Sequence, residues 1–529
     1  MNNGILLGID FGTGGCKVTA ITVEGKLVAD ASVEYTTYFE HPGWAEQDPA
    51  DWYRAMCQAL AQLRAKGVDF SSLLALSFDG STHNAVLLDD AYRPLRRTIM
   101  WTDQRSTAEC AELREQYGEM IFAIAGQQPA PTWTLPQMRW LQRHEPALLQ
   151  ATKHLLFVKD YVRFLVTGSA QTDYIEAQGT LFFDLQARRW SEPLVALSGL
   201  PLSSLPELVS PTTVTGQVTA QAAADTGLPQ GTPVICGSSD SAVEDYGAGA
   251  IEPGDCIIKL ATAGNVNVMT AEAHPSRTTL TYSHIIPGMW YTVSATNAAA
   301  LCQRWLRDLL CQDLKLEAQA AGAKVFELMD REAAQSPAGA NGIFFHPYLQ
   351  GERSPYWDPA LRASFTGMAV SSRRSDVIRA VLEGVAYSLL DCYGQIQEMG
   401  LPVKRLILIG GGSRSRLWSA IVGNVFNLPL QVTEPGDASF GSALLAAGNF
   451  VAVRYSNQEL APFWGAGLRF ALAAASFAAL VLVTGAKWVR REDVHADKAL
   501  ETGFDGRLVD AMQTALRAED IIARAVPYM

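Results

Sequence analysis

A pair of short apolar runs closed by a turn of small residues occurs once in each half of this 529-residue chain, and that repeat constrains the fold most. In the first half, Ile5–Ile9 and Lys17–Val23 flank Asp10-Phe-Gly-Thr-Gly-Gly-Cys-Lys17. Two such runs around a Gly-rich turn predict a β-hairpin. Lys26–Val33 predicts a third strand, and Pro49–Leu63 a helix with Asp48 as its N-cap. Leu73–Phe78 and Ala85–Leu88 read as buried strands around Asp79-Gly-Ser-Thr-His-Asn84. In the second half, Cys256–Leu260 and Val266–Met269 flank Ala261-Thr-Ala-Gly264. Asn297–Leu310 reads as a helix, and Leu406–Ile409 as a strand ending in Gly410-Gly-Gly-Ser413 before helical Arg414–Phe426. The repeat predicts two related α/β domains, joined near the Gly/Pro-punctuated stretch Gly247–Gly254.

Apolar residues make up 48 % and charged residues 18 %, the balance of a folded globular chain. A net charge of −12 disfavours nucleic acid, whose phosphates need basic surfaces. A single nucleotide asks only for a local cradle of N–H groups. The eight cysteines form no Cys-x-x-Cys pair, which predicts reduced, buried thiols and a cytoplasmic protein. No basic stretch precedes the first apolar run, so no signal peptide is expected.

Three turns carry candidate chemistry. In the first, Gly12, Gly14 and Thr13 offer N–H and hydroxyl donors to a phosphate, Lys17 a point charge, and Asp10 a Mg²⁺ site through water. The competing reading is an ordinary hairpin. In the second, Asp240 leaves an apolar run through Gly237-Ser-Ser and is placed to accept a proton from a substrate hydroxyl. The competing reading is a turn or a helix cap. In the third, Gly411, Gly412 and Ser413 between strand and helix suit a nucleotide, or form a bland connection. It is neither Gly-x-Gly-x-x-Gly nor a P-loop.

Taken in order, the motifs resemble the FGGY family of carbohydrate kinases, xylulokinase-like branch. They are Gly8–Thr13, His41-Pro-Gly-Trp-Ala-Glu-Gln-Asp48, Trp101-Thr-Asp-Gln-Arg105, Lys159-Asp-Tyr161, Gly237–Asp240, Pro347–Pro355 and Gly410–Trp418. The resemblance implies two actin/hexokinase-like (ribonuclease H-like) domains, 1–246 and 247–447, with the active site in the cleft between them. It implies an ATP-dependent kinase acting on a pentulose or related polyol, with Asp240 as general base and a hinge closing on both substrates. Glycerol or hexulose kinase activity is one alternative, and a catalytically weak sugar or nucleotide sensor is another. The Asp10 turn and the Thr262–Gly264 turn would clasp the ATP phosphates; Gly411, Gly412, Ser413 and Asn424 would line the adenosine pocket. The sugar would lie among Ser81, Thr82, His83, Trp101, Asp103 and Asp240, with Arg105 pairing Asp103. Two departures matter. Thr82 stands where xylulokinases carry Met, which leaves the sugar open. Ala261 and Ala263 replace residues of a Gly-Thr-Ser turn, which removes one hydroxyl donor. A homodimer stays open.

The kinase resemblance ends near Ala447. Residues 449–485 resemble part of an EamA-type drug/metabolite transporter, and 461–486 contain one charge, Arg469. Such a run approaches bilayer length. A foreign or rearranged segment is favoured over a buried helix or an anchor, and 487–529 reads as charged helix with no assigned chemistry.

Overall fold

The computed structural model describes residues 4–459 apart from 359 and 434–436. Strands β1 (Ile5–Phe11), β2 (Gly15–Thr22) and β3 (Leu27–Glu34) form an antiparallel meander. With β4 (Leu73–Gly80), β5 (Val214–Gln217) and β6 (Pro233–Ser239) they build a six-stranded sheet ordered β5-β6-β4-β1-β2-β3. A second six-stranded sheet holds β7 (Asp255–Leu260), β8 (Gly264–Thr270), β9 (Leu280–Ser283), β10 (Trp290–Thr296), β11 (Arg405–Ile409) and β12 (Leu430–Val432), ordered β9-β10-β8-β7-β11-β12. In both sheets a three-strand meander ends on a strand that pairs in parallel with the next. The expected structural repeat is therefore present.

The helices that matter for the site are α1 (Pro49–Ala65), α2 (Val158–Thr167), α3 (Tyr174–Gln178), α4 (Asp240–Gly247), α5 (Ala300–Leu310), α6 (Arg374–Glu398), α7 (Arg416–Phe426) and α8 (Ala438–Glu459). Asp48 caps α1 as expected, accepting from the Ala50 N–H at 2.9 Å. The helix expected from Asn297 begins at Ala300, because the Asn297 N–H goes to the Glu352 carboxylate instead. The segment after Ile409 first forms a 3₁₀ turn, and Ser415 then caps α7.

Strand parity decides what each half buries. On β1, Ile5, Leu7, Ile9 and Phe11 pack on Trp52, Met56, Leu60 and Leu63 of α1. Leu6 points the other way, into a cluster with Ile257, Ile407 and Ile409 of the second sheet. On β7, Cys256, Ile258 and Leu260 pack on Val381, Val385 and Leu389 of α6, while Ile257 faces the first sheet. Burying one such side chain fully is worth about 2 kcal/mol. The pattern fixes register firmly, and it turns Gly8 and Asp10 toward the opposite half. Gly8 is where α8 comes closest: a Cβ there would lie 1.9 Å from the Ser439 carbonyl oxygen.

All eight cysteines are free, and all but Cys57 are buried. No helix among the described residues is long and apolar enough to cross a membrane. The apolar run 461–486 and the charged segment 487–529 lie outside the described residues.

Candidate active site

Three carboxylates converge on the cleft face. Asp10, at the end of β1, pairs in register with Asp79 at the end of β4. Asp79 is fully buried; it heads the loop expected beside the sugar, and what the sequence left out is its pairing with Asp10. The signal for it is weak: an Asp at the matching end of a second central strand. Asp240 arrives from β6, whose ladder to β4 breaks between Ile235 and Ser238. Gly237 sits at φ +74° in that break, and a Cβ there would lie 1.6 Å from the Phe78 carbonyl oxygen. The bulge re-aims the strand so that Asp240 becomes the first residue of α4. The Lys159-Asp-Tyr161 motif explains itself here. Arg163, one turn further along α2, donates to the Cys236 carbonyl at 3.1 Å. Lys159 joins Asp160 and Asp173 at 2.6 and 2.9 Å, and Asp173 accepts from the Ser238 hydroxyl at 2.9 Å.

Crowded acids in a closed site resist ionisation. Burial, and then the charge of Asp240, push the Asp10 carboxyl up. Burial, and then the charge of Asp10, push Asp79 well above the carboxylate range. Burial raises Asp240 too, opposed by Lys259 and by the Ser241 N–H, which donates to its Oδ1 at 2.6 Å. No protein donor meets its second oxygen among the described residues. Asp10 Oδ1 is buried without a hydrogen-bond partner. That unpartnered oxygen would suit a cation that keeps most of its waters, as Mg²⁺ does. No cluster of three or more metal-ligating side chains exists among the described residues.

The first turn is held from three sides. Gln47 donates to the Thr13 carbonyl at 2.7 Å, the Trp101 indole donates to the Thr13 hydroxyl at 3.0 Å, and the Tyr35 hydroxyl donates to the Gly12 carbonyl. The Gly12 N–H closes the turn on the Gly15 carbonyl, and Gly14 faces open space. Lys17 differs from expectation. Its ammonium is paired with Asp437 and with Asp30 at 3.1 Å, so its charge is already engaged.

On the sugar side, Ser81 is buried and accepts from Asn84 at 2.8 Å, and Thr82 beside it is partly open. His83 is no surface-turn residue. Its ring stacks on Trp133 at 5.2 Å, and its backbone N–H donates to Glu176 at 2.5 Å. Neither ring nitrogen has a well-formed hydrogen bond, and burial pushes its pKa down to about 4. Trp101 is half-exposed, held to the first turn by its bond to Thr13. Asp103 is corrected. Fully enclosed, it spends both oxygens on the Ala45 N–H at 2.6 Å and on Arg105 at 2.8 and 3.0 Å, which leaves none for a sugar.

In the second half, Ala261–Gly264 closes the β7–β8 hairpin. The Ala261 and Thr262 carbonyls cap α5 through the Ala300 and Ala299 N–H groups, and Arg304 donates to the Thr262 hydroxyl at 2.8 Å. Gly264 lies against Leu389 and Thr296, a packing position rather than an open one. The Gly410 turn packs on Leu260 beside this hairpin. Gly411 is open, Gly412 packs on Trp418, and the Ser413 hydroxyl donates to the Gly410 carbonyl at 2.7 Å. Asn424 is exposed on α7, eight residues and about 12 Å along the helix from its start.

The N-terminal domain model of the FGGY family of carbohydrate kinases matches residues 5–247, and the C-terminal domain model matches 257–450. The chain belongs to the FGGY family of carbohydrate kinases. It is similar to the xylulose kinase of Staphylococcus epidermidis (ATCC 12228), 31 % identical over 451 residues that cover 84 % of this chain and 87 % of the relative. It is also similar to that of Escherichia coli K12, 31 % identical over 445 residues, 83 % and 89 % of the two chains. The crystal structure of xylulose kinase from Rhodospirillum rubrum superposes with a TM-score of 0.76 at 33 % identity, covering 84 % and 89 %. The two halves have the actin/hexokinase-like fold of these kinases, and the chain is an ATP-dependent sugar kinase that transfers phosphate to an alcohol group. The match ends at residue 450, and the transporter-like reading of 449–485 gains no support.

His83 gives this kinase a pH signature. A histidine kept neutral when folded takes up a proton only on unfolding, so stability is present above about pH 6.5 and is lost as pH falls toward 4. His284, also pushed down to about 4, adds to it. His83→Phe should lower the slope of unfolding free energy against pH, between 4 and 6.5, by one proton. Equal slopes for the two proteins would contradict the burial argument.

Proposed function

We propose that this sugar kinase phosphorylates a pentulose, with Asp240 as the base. The observation that carries the reading is the bulge at Gly237, which delivers a half-open carboxylate with one unpartnered oxygen onto the cleft face beside Asp10. Asp240 accepts the proton as the sugar hydroxyl attacks the γ-phosphate, whose bond to the β-phosphate oxygen breaks to release ADP. The turns at Gly12–Gly14 and Thr262 hold the phosphates, and Gly411–Ser413 receives the adenosine. Asp10 would hold Mg²⁺ through water, and the ion would supply charge neutralisation to the phosphates there. Residues 1–246 and 247–447 act as the two domains that close on the substrates. The names of the xylulose kinase relatives support a ketopentose, and Thr82 makes the choice of sugar worth measuring.

A coupled ADP-release assay against a panel of ketoses and polyols tests this. D-xylulose or another ketopentose should give the highest kcat/KM. Best turnover on glycerol or a hexulose would replace the substrate, and ligand-induced thermal shifts without ADP release would point to a sensor.

A further inference from the structure

The cleft face of the β7–β8 hairpin carries a polar group that the mechanism above does not use. Lys259 and Asn265 are opposite one another in the antiparallel register, as are Ile257 and Asn267. All four therefore share one face. That face meets α4: Ile257 packs with Ala242 and Val243, and the Asn267 side chain donates to Asp245 at 2.9 Å. On α4, Asp240 and Glu244 are four residues apart and so lie on one side of the helix. Lys259 reaches Glu244 in an ion pair whose side chains are only 22 % and 10 % exposed. The lysine thus stands two residues before the Ala261 turn and opposite the helix whose first residue is Asp240.

We propose that Lys259, braced by Glu244, is a positioning residue that supplies the counter-charge for Asp240 and keeps that base ionised next to the phosphate turn. The proposal rests on the reading of Asp240 as the base. The other groups facing Asp240 are mostly acidic: Asp10 on β1, Asp79 on β4, Glu244 and Asp245 on α4, with Tyr282 on β9 and Tyr291 on β10 neutral. Asp437, ahead of α8, is spent on Lys17. Lys259 is the cation that opposes the burial of Asp240. Burial alone would lower the lysine, but Glu244 and then Asp240 outweigh it and hold the ammonium charged. A carboxylate among acids in a closed site loses its basic form without such a partner.

A plain Lys259→Met change leaves Glu244 buried and unpaired, so loss of activity there would not separate chemistry from folding. The decisive comparison is Glu244→Gln against Lys259→Met/Glu244→Gln in the full-length protein, with MgATP and D-xylulose, or the best ketose of the panel. These differ only at Lys259, and neither leaves an unpaired buried acid at the Glu244 position. The double variant should show kcat about tenfold lower near neutral pH, and the acid limb of its kcat–pH profile about one unit higher. The KM values should be little changed, and Lys259→Arg/Glu244→Gln should recover most of kcat. Superimposable profiles for the first two proteins, each with a cooperative melt, would overturn the proposal. Asp240→Asn is measured alongside. Should it keep kcat within tenfold of the natural chain, the base assignment fails by itself, whatever Lys259 does.

Discussion

Asp240→Asn should lower kcat by about 10²–10⁴-fold, the range a positioned general base contributes. The exchange is nearly isosteric, and the Ser241 N–H still finds an acceptor in the amide oxygen, so α4 keeps its first turn. The substituted side chain also relieves some repulsion, since Asp10 and Asp79 both feel the charge at 240. The variant should therefore melt no lower than the natural chain while losing turnover. That combination separates a chemical role from a structural one. Steady-state ADP release, with KM for each substrate measured in parallel, checks it. A variant retaining kcat within tenfold would remove Asp240 from the chemistry.

Gly8→Ala should destabilise the folded chain by about 3 kcal/mol, at the upper end of ordinary overpacking. The new methyl would sit 1.9 Å from the Ser439 carbonyl oxygen and 2.4 Å from the Ala443 nitrogen, so it meets helix backbone rather than a movable side chain. Normal contact needs roughly 3.5 Å, and α8 would have to shift by on the order of 1.5 Å. The same helix is pressed on α4, where a Cβ on Gly441 would lie 1.9 Å from the Val243 carbonyl oxygen. Displacing it moves the support of both Asp10 and Asp240, and a 1 Å misplacement can cost about 10²-fold in rate. Denaturant unfolding and turnover should fall together. Gly14→Ala is the control for stability, because nothing lies within 4 Å of the added Cβ. A natural-chain midpoint for Gly8→Ala would show that α8 does not bear on β1 as described.

What was legible in the sequence was local or collinear. The Asp10 turn, the Asp48 cap and the strand pairs at both hairpins depend on neighbours a few residues away, and each stands where its pattern put it. Asp240 was legible only through the order of motifs, since by itself it reads as the helix start that it also is. The features that escaped depend on segments meeting in space. Lys17 loses its free charge to Asp437, 420 residues away. Asp79 gains its place from a parallel pairing, and Lys259 finds Glu244 across a turn that re-aims the chain. Asp103 looked available because its neighbours at Ala45 and Arg105 close around it only in the fold.

The alternation along β1 has a consequence for how such a chain can vary. Seven residues serve two masters, with Ile5, Leu7, Ile9 and Phe11 committed to one layer and Leu6, Gly8 and Asp10 to the other. Insertion or loss of one residue inside the strand would exchange these roles, sending the carboxylate into an oily interior and the isoleucines into the cleft. Insertions should therefore be tolerated in the loops and not within this strand.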